Sequence, residues 1–386
     1  MANSNLTNAK KAKNDEFYTQ YIDIQKEIEA YLEYDQNVFR GKAVYCNCDD
    51  PFESNFFRYF VLNFKKLGLK QLITTSYKPS PIANTQLGLF GDDKTLSKLK
   101  GRPKINANKF IINEVGDMDG DGEFNLKDVA IQLKANKNNE WTPLESNGDF
   151  RSDECINLLK QADIVVTNPP FSLFREYVKQ LFDYNKKFVI IGNMNAIAYK
   201  EIFPLIKNNK LWLGPSISSG DREFVVPHYI FKEVGNWRTD ENGVHYARVM
   251  GVRWFTNLDH GRRHQPIPLM SEDDVIKFVT KKPFDKYDNY DAIEVSFVKN
   301  IPSDCNGMMG VPISFLDKYS PEQFEIIGLG IANLGRSIGV KPYKPEHRKY
   351  RREIQKRGVV DGDLYMIKDG IVEVPYARVL IKHKKK

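Results

Sequence analysis

Long apolar runs are missing from this 386-residue chain. No window approaches the roughly 18 consecutive apolar residues that a membrane-spanning helix needs, so an integral helical membrane protein is excluded. The opening residues, MANSNLTNAKKAKNDEF, lack an apolar centre, so no secretory signal is expected and a soluble cytoplasmic protein is. Cysteine is scarce. Cys46, Cys48, Cys155 and Cys305 contain no CxxC pair, which argues against both a disulfide framework and a structural zinc site. The six histidines are scattered, so no hydrolytic or oxidative metal centre is expected.

What is present is ordinary globular material, with 41% hydrophobic, 28% charged and 12% aromatic residues. The length predicts two domains, or one large α/β domain with an appended module. Charge is unevenly placed. Residues 331–386 carry 15 Lys or Arg against 6 Asp or Glu, while the whole chain is only +7, so the basic excess is confined to the C-terminal segment. That segment includes the run His347-Arg348-Lys349-Tyr350-Arg351-Arg352. A polyanionic partner would explain it; a solvated helix face followed by a terminal lysine tail is the plainer alternative.

The pattern along the chain is strand–helix alternation. After an amphipathic stretch, DIQKEIEAYLEY, come short apolar runs at Lys42–Cys48, Gln71–Thr75, Asp163–Thr167 and Lys187–Gly192. Their β-branched, nearly continuous apolar character predicts strands covered on both faces. Helical patterns, FFRYFVLNFKKLG and SLFREYVKQLFDY, lie between them. Such alternation predicts a mostly parallel sheet, whose ligands bind beyond the carboxyl ends of the strands. Residues 80–147 interrupt the alternation and read as an insertion. A boundary is expected near residue 235, dividing a 1–235 catalytic domain from a 236–386 region with strand-like pieces such as HYARVMGVRWFT.

The most specific feature is DIVVTNPPF at Asp163–Phe171. A strand delivers Asn168, then Pro169 and Pro170 stop the ladder, remove two amide donors and leave carbonyls free to accept. This arrangement can grip an exocyclic amine on a planar ring. The Asn168 side-chain oxygen and the Pro169 carbonyl would accept its two N–H groups, and Phe171 would stack on the ring. The plainer alternative is a turn after a strand, with an Asx turn at Asn168 and Phe171 in the core.

At these residues the chain resembles the amino-group DNA methyltransferases with an NPPF-type motif, and more closely the EcoRI-type adenine-specific family. The similarity runs over NPPFSLFREY (Asn168–Tyr177), NDEFYTQ (Asn14–Gln20) and VYCNCDDP (Val44–Pro51), is clear over about residues 10–235, and is looser beyond. The resemblance implies a Rossmann-like S-adenosylmethionine-dependent methyltransferase sheet with a C-terminal basic target-recognition region. It implies that Phe17, Tyr18 and Thr19 lie over the methionine end of S-adenosylmethionine, where an aromatic suits a sulfonium. It implies cofactor roles for Asp49 and Asp50 after the first strand, although the glycines usual in that loop are absent. Asp149 and Phe150, in Gly148-Asp149-Phe150, match the motif that meets the cofactor's adenine. After the second strand, Thr75-Ser76-Tyr77-Lys78 replaces the acidic residue that usually holds the ribose.

The expected activity is methyl transfer to adenine N6 in double-stranded DNA by base flipping, in a restriction-modification, phage or epigenetic context, with a cognate restriction endonuclease as a possible partner and the chain working as a monomer. Arg262, Arg263, Arg336, Arg348, Arg351 and Arg352 are the candidate DNA contacts. RNA adenine or protein glutamine methylation uses the same grip, and an inactive DNA-binding relative would also fit the unusual cofactor loop. Cytosine C5 methylation is set aside, because it needs a cysteine nucleophile, normally after proline, and no Pro-Cys dipeptide occurs.

One motif stands apart from this activity. Asp117–Asp128 (DMDGDGEFNLKD) follows the EF-hand loop pattern, except that Asp128 replaces the final glutamate. It reads either as a structural Ca²⁺ site or as a Gly-rich acidic hairpin turn, and catalysis would depend on neither.

Overall fold

The computed structural model describes residues 19–48, 54–77, 107–135, 138–217, 222–225 and 237–384. The chain divides into two compact units: Met1–Ala196 with Leu213–His260, and Ile197–Trp212 with Gly261–Lys386. The segment HYARVMGVRWFT, which sequence places beyond the boundary, lies in the first unit. Among the described residues no helix is long and apolar enough to cross a membrane.

The first unit begins with α1 (Tyr21–Tyr34), which buries Ile24, Ile28 and Tyr31 on one stripe. Next are β1 (Ala43–Cys46), α2 (Asn55–Leu62), β2 (Gln71–Thr75), β3 (Asn108–Ile112), α3 (Leu126–Ala135) and β4 (Glu140–Pro143). After them come α4 (Asp153–Gln161), β5 (Ile164–Thr167), α5 (Phe174–Asp183), β6 (Lys187–Asn193), β7 (Trp212–Leu213), β8 (Arg222–Val225), β9 (Trp237–Thr239), β10 (His245–Val249) and β11 (Val252–Thr256).

The large sheet runs β4-β3-β2-β1-β5-β6-β11-β7. Its centre is parallel: β1 pairs with β2 and β5, and β5 pairs with β6. Antiparallel strands flank that centre, β3 and β4 beyond β2 and β11 beyond β6. Part of the expected insertion therefore extends the sheet. Every residue of β1 and β5 is buried, as continuous apolar runs demand of strands covered on both faces. The order reverses at β1, since the chain moves to β2 on one side and returns to β5 on the other. In such sheets ligands bind beyond the carboxyl ends of the strands at the switch point, here the ends of β1 and β5.

Local chemistry sets the helices. Ser54 caps α2 by accepting from the amides of Phe56 and Phe57, and Ser152 caps α4 by accepting from Cys155. The α2 residues Phe56, Phe57 and Phe60 are fully buried in a core they share with Val44, Phe110 and Trp254. Before α5, a single 3-10 turn, Phe171–Leu173, carries the chain out of the two prolines.

The second unit holds β12 (Ile293–Glu294), β13 (Met309–Pro312), β14 (Phe324–Leu329), α6 (Pro345–Glu353), β15 (Met366–Lys368), β16 (Ile371–Glu373) and β17 (Arg378–His383). Its four-stranded sheet runs β12-β13-β17-β14, with β15 and β16 as a separate hairpin. Tyr287, Leu364, Met366 and Leu380 share its core.

Candidate active site

Strand β5 ends at Thr167, which delivers Asn168 to the switch point, 8% exposed. Pro169 is buried. The carbonyl of Pro170 accepts from the Leu173 amide at 3.0 Å, whereas that of Pro169 accepts no hydrogen bond among the described residues. The two prolines thus differ: one carbonyl closes the 3-10 turn and the other stays open. Phe171, also 8% exposed, lies at the start of that turn.

Asn47, just past β1, ties the site together. Its backbone carbonyl accepts from the Thr167 hydroxyl and its side-chain oxygen from the Tyr177 hydroxyl. The ends of β1 and β5 and the first turns of α5 are thereby held as one polar unit. Tyr177 is fully buried, and burial pushes its phenol well above the ordinary range, so it stays a neutral donor. Beside it, the Tyr45 hydroxyl lies 2.9 Å from the Thr75 hydroxyl, linking β1 to β2. Sequence reasoning missed Asn47 and Tyr177 as site-building residues. Tyr177 lies within the NPPFSLFREY run, but nothing in the sequence pairs it with Asn47.

Cys48, the next residue, has φ of 67°. That is the left-handed conformation glycine favours, so the chain makes the turn without glycine. Asp49, Asp50, Phe17 and Tyr18 lie outside the described residues. Thr19 is 2% exposed; its carbonyl accepts from the Asn55 side chain at 2.8 Å, which sets the start of α1 beside the start of α2. The Thr19 hydroxyl is buried without a hydrogen-bond partner among the described residues.

The loop ahead of α4 meets the end of β2. Gly148 has φ of +77°, and a Cβ there would sit 1.9 Å from the Ser76 carbonyl oxygen. Only glycine permits this approach, which brings Asp149 and Phe150 to the carboxyl edge of the sheet. The Asp149 carboxylate accepts from Arg151 at 2.9 and 2.7 Å, and Arg151 also reaches Glu176 at 3.0 Å. Phe150 packs edge-on against Tyr177, with ring centroids 5.0 Å apart. Ser76 itself accepts from the Asn108 amide at 2.7 Å, so its hydroxyl serves the β2–β3 pairing.

The arginines have different surroundings. Arg263 is 6% exposed, lies 3.6 Å over the Trp212 ring and donates to Asn209 at 2.5 Å. Arg348 grips Asp361 at 2.7 and 2.9 Å. Arg351 donates to the Gly358 carbonyl at 2.9 Å, and Arg336 donates to Asn333. Arg352 is exposed on α6, and Arg262 lines a small surface cavity.

In the acidic loop, side-chain oxygens of Asp117, Asp119 and Asp128 lie within 4.8 Å of one another. The loop is closed by its own amides: Asp117 accepts from Gly120 and Gly122 at 2.7 and 2.8 Å, and Asp119 pairs with Lys127 at 2.7 Å.

The family model described as adenine-specific methyltransferase EcoRI matches residues 5–384. The chain belongs to that family. It is 41% identical over 383 residues to the Type II methyltransferase M.EcoRI of Escherichia coli, an alignment covering 99% of this chain and 97% of the relative. It is 38% identical to the Type II methyltransferases M.MgeORF184P of Mycoplasma genitalium and M.MpnI of Mycoplasma pneumoniae, each over 83% of this chain and 84% or 83% of theirs. No solved structure matches the chain. The chain that carries the NPPF motif is thus an adenine-specific DNA methyltransferase.

Proposed function

We propose that the crevice at the ends of β1 and β5 transfers a methyl group from S-adenosylmethionine to adenine N6 in double-stranded DNA. The observation that carries this reading is the open Pro169 carbonyl beside Asn168 at the switch point. Asn168 and Pro169 accept the two N–H groups of the adenine amine, drawing its lone pair out of ring conjugation. Pro170 fixes the turn, and Phe171 stacks on the base. A base inside a duplex cannot reach this crevice, so it is extruded, at about a few kcal/mol for unstacking.

When bound, S-adenosylmethionine supplies an electrophilic methyl sulfonium. The residues present fit that group: the buried Thr19 hydroxyl has a free valence, and the close approach at Gly148 holds Asp149 and Phe150 at the carboxyl edge of the sheet. Phe17, Tyr18, Thr19, Asp49 and Asp50 hold the amino-acid end, and Asp149 and Phe150 the adenine end. The second unit supplies the basic target-recognition surface, with Arg262, Arg336 and Arg352 reaching DNA and Arg263, Arg348 and Arg351 bracing it. The chain works in the cytoplasm as a monomer, beside a cognate endonuclease.

The test is transfer of labelled methyl from S-adenosylmethionine to unmethylated genomic DNA, with nucleoside analysis. Wild type yields N6-methyladenine and Asn168→Ala loses at least 100-fold, about 2.7 kcal/mol of transition-state stabilisation. Label in N4-methylcytosine would change the base assigned, and label in RNA or protein alone would overturn the substrate.

A further inference from the structure

Two cavities lie in the second unit, on either side of one short stretch of chain. Ser296 borders the larger, of about 590 Å³, and Val298 and Lys299 border the smaller, of about 240 Å³. Phe297 therefore stands on a ridge between them, and it is 61% exposed. The smaller cavity is lined by Arg262, Lys299 and Lys318 and by no carboxylate. In the larger one, Glu294 and Glu373 are answered by Arg378 at 2.7 Å and Lys368 at 3.1 Å, while Arg357 adds a further cation. Lys299, Lys318 and Arg357 are exposed, and none forms an ion pair among the described residues.

Hydrogen bonds tie the ridge to its surroundings. A 3-10 turn, Val298–Asn300, succeeds Phe297, whose carbonyl accepts from the Asn300 amide at 2.9 Å; Ile301 beyond it is fully buried. Across the smaller cavity, Gln323 bonds both the amide and the carbonyl of Ile267, at 2.8 and 3.0 Å. His264 is held by Glu322 at 2.8 Å. A single exposed aromatic needs no explanation by itself. An exposed aromatic between cavities lined by unpaired cations does, because that pairing suits a ligand with negative charge outside and apolar planar surface between. Duplex nucleic acid has that profile, with phosphates on either side of a groove lined by sugar and base edges.

We propose that the Ser296–Lys299 ridge docks duplex DNA, with Lys299 and Lys318 meeting backbone phosphates on one flank, Arg357 on the other, and Phe297 packing into the groove between. The proposal rests on the reading of the chain as a DNA methyltransferase. The experiment measures binding of the full-length chain to a labelled unmethylated plasmid fragment by anisotropy across a potassium chloride series. Each lost phosphate contact lowers the magnitude of the log–log salt slope by about 0.9. Lys299→Ala with Lys318→Ala should therefore flatten it by nearly two. Phe297→Ala should weaken binding about tenfold at unchanged slope, and Phe297→Trp should restore it. Cofactor binding by calorimetry and melting temperature should hold steady in all three. A double variant with wild-type slope and affinity would overturn the ridge and leave the DNA reading standing. Failure of the wild type to bind or methylate DNA would instead remove the reading beneath it. A dimer in sedimentation that Phe297→Ala dissociates, with DNA binding unchanged, would assign the ridge to a second copy of the chain.

Discussion

Two backbone positions decide whether the crevice keeps its shape. At Gly148 an added methyl meets the Ser76 carbonyl at 1.9 Å, and both neighbours are backbone or packed side chain. Gly148→Ala must push the Asp149–Phe150 loop off the sheet edge. The expected result is a KM for S-adenosylmethionine at least tenfold higher, about 1.4 kcal/mol, with a smaller change in kcat. Steady-state kinetics at saturating DNA checks it. At Cys48 the left-handed backbone costs about 1–2 kcal/mol for a residue with a side chain. A β-branched residue tolerates that conformation worse, so Cys48→Val should melt several degrees below wild type. Cys48→Gly should match or exceed wild type, because relief of strain offsets the extra entropy of the unfolded chain. Thermal unfolding of the pair settles the sign. The absence of glycine in CNCDDP thus reflects a left-handed cysteine, which sequence does not reveal because that backbone angle is set by packing at the end of the strand.

Elements were legible where one force dominates. The runs QLITT and KFVIIG are apolar enough that burial on both faces is their only stable use, and they became β2 and β6. HYARV and VRWFT were legible as strands, but it was not legible that VRWFT joins the large sheet while HYARV pairs with β8 and β9. An antiparallel strand that follows another strand after a two-residue turn carries no helix–strand alternation to mark its partner, and β11 found β6 by tertiary pairing. The acidic loop shows a different limit. Asp128 sits in the first turn of α3 and accepts from the Met118, Asp119 and Asn125 amides, while Asn125 accepts from Lys127. That is a reciprocal cap at the helix start, hidden inside a metal-loop pattern. The Met118 amide bond, joined by those from Asn125 and Asp119, holds the Asp128 carboxyl below the usual carboxylate range. A depressed folded pKa gives stability that is complete above the unfolded pKa and is lost as pH falls through the folded one. Asp128→Asn should therefore lower the melting temperature at neutral pH by the equivalent of about 1 kcal/mol for a lost cap. The gap should close on acidification below about pH 4, where wild type also loses its carboxylate. Melting curves from pH 7 to 2.5 check this, and repeating them with added Ca²⁺ tests the loop as a metal site: an unchanged melting temperature removes it.

At the scale of the molecule, the charge distribution pointed to the C-terminal segment but not to which cations face outward. A guanidinium has the same formula on α6 as beneath a tryptophan, and only packing separates them. Arg352 is exposed on a helix whose neighbour Arg348 is already committed to Asp361, whereas Arg263 is buried over Trp212. The two should fail in opposite ways. Arg352→Ala should weaken DNA binding uniformly across sequences and flatten the salt slope by about 0.9, with melting temperature and cofactor affinity unchanged. Arg263→Ala removes a desolvated cation–π contact and the Asn209 bond, so it should lower stability by about 2 kcal/mol. Its DNA salt slope, measured well below the melting temperature, should stay at the wild-type value. Lys substitution separates the roles again. Arg352→Lys should keep most of the slope, because a phosphate accepts either cation, while Arg263→Lys should remain destabilised, because an ammonium cannot lie flat on the indole and still reach Asn209. Equal slopes for Arg352→Ala and wild type would move the DNA-facing surface off α6 and leave its basic run as a solvated helix face.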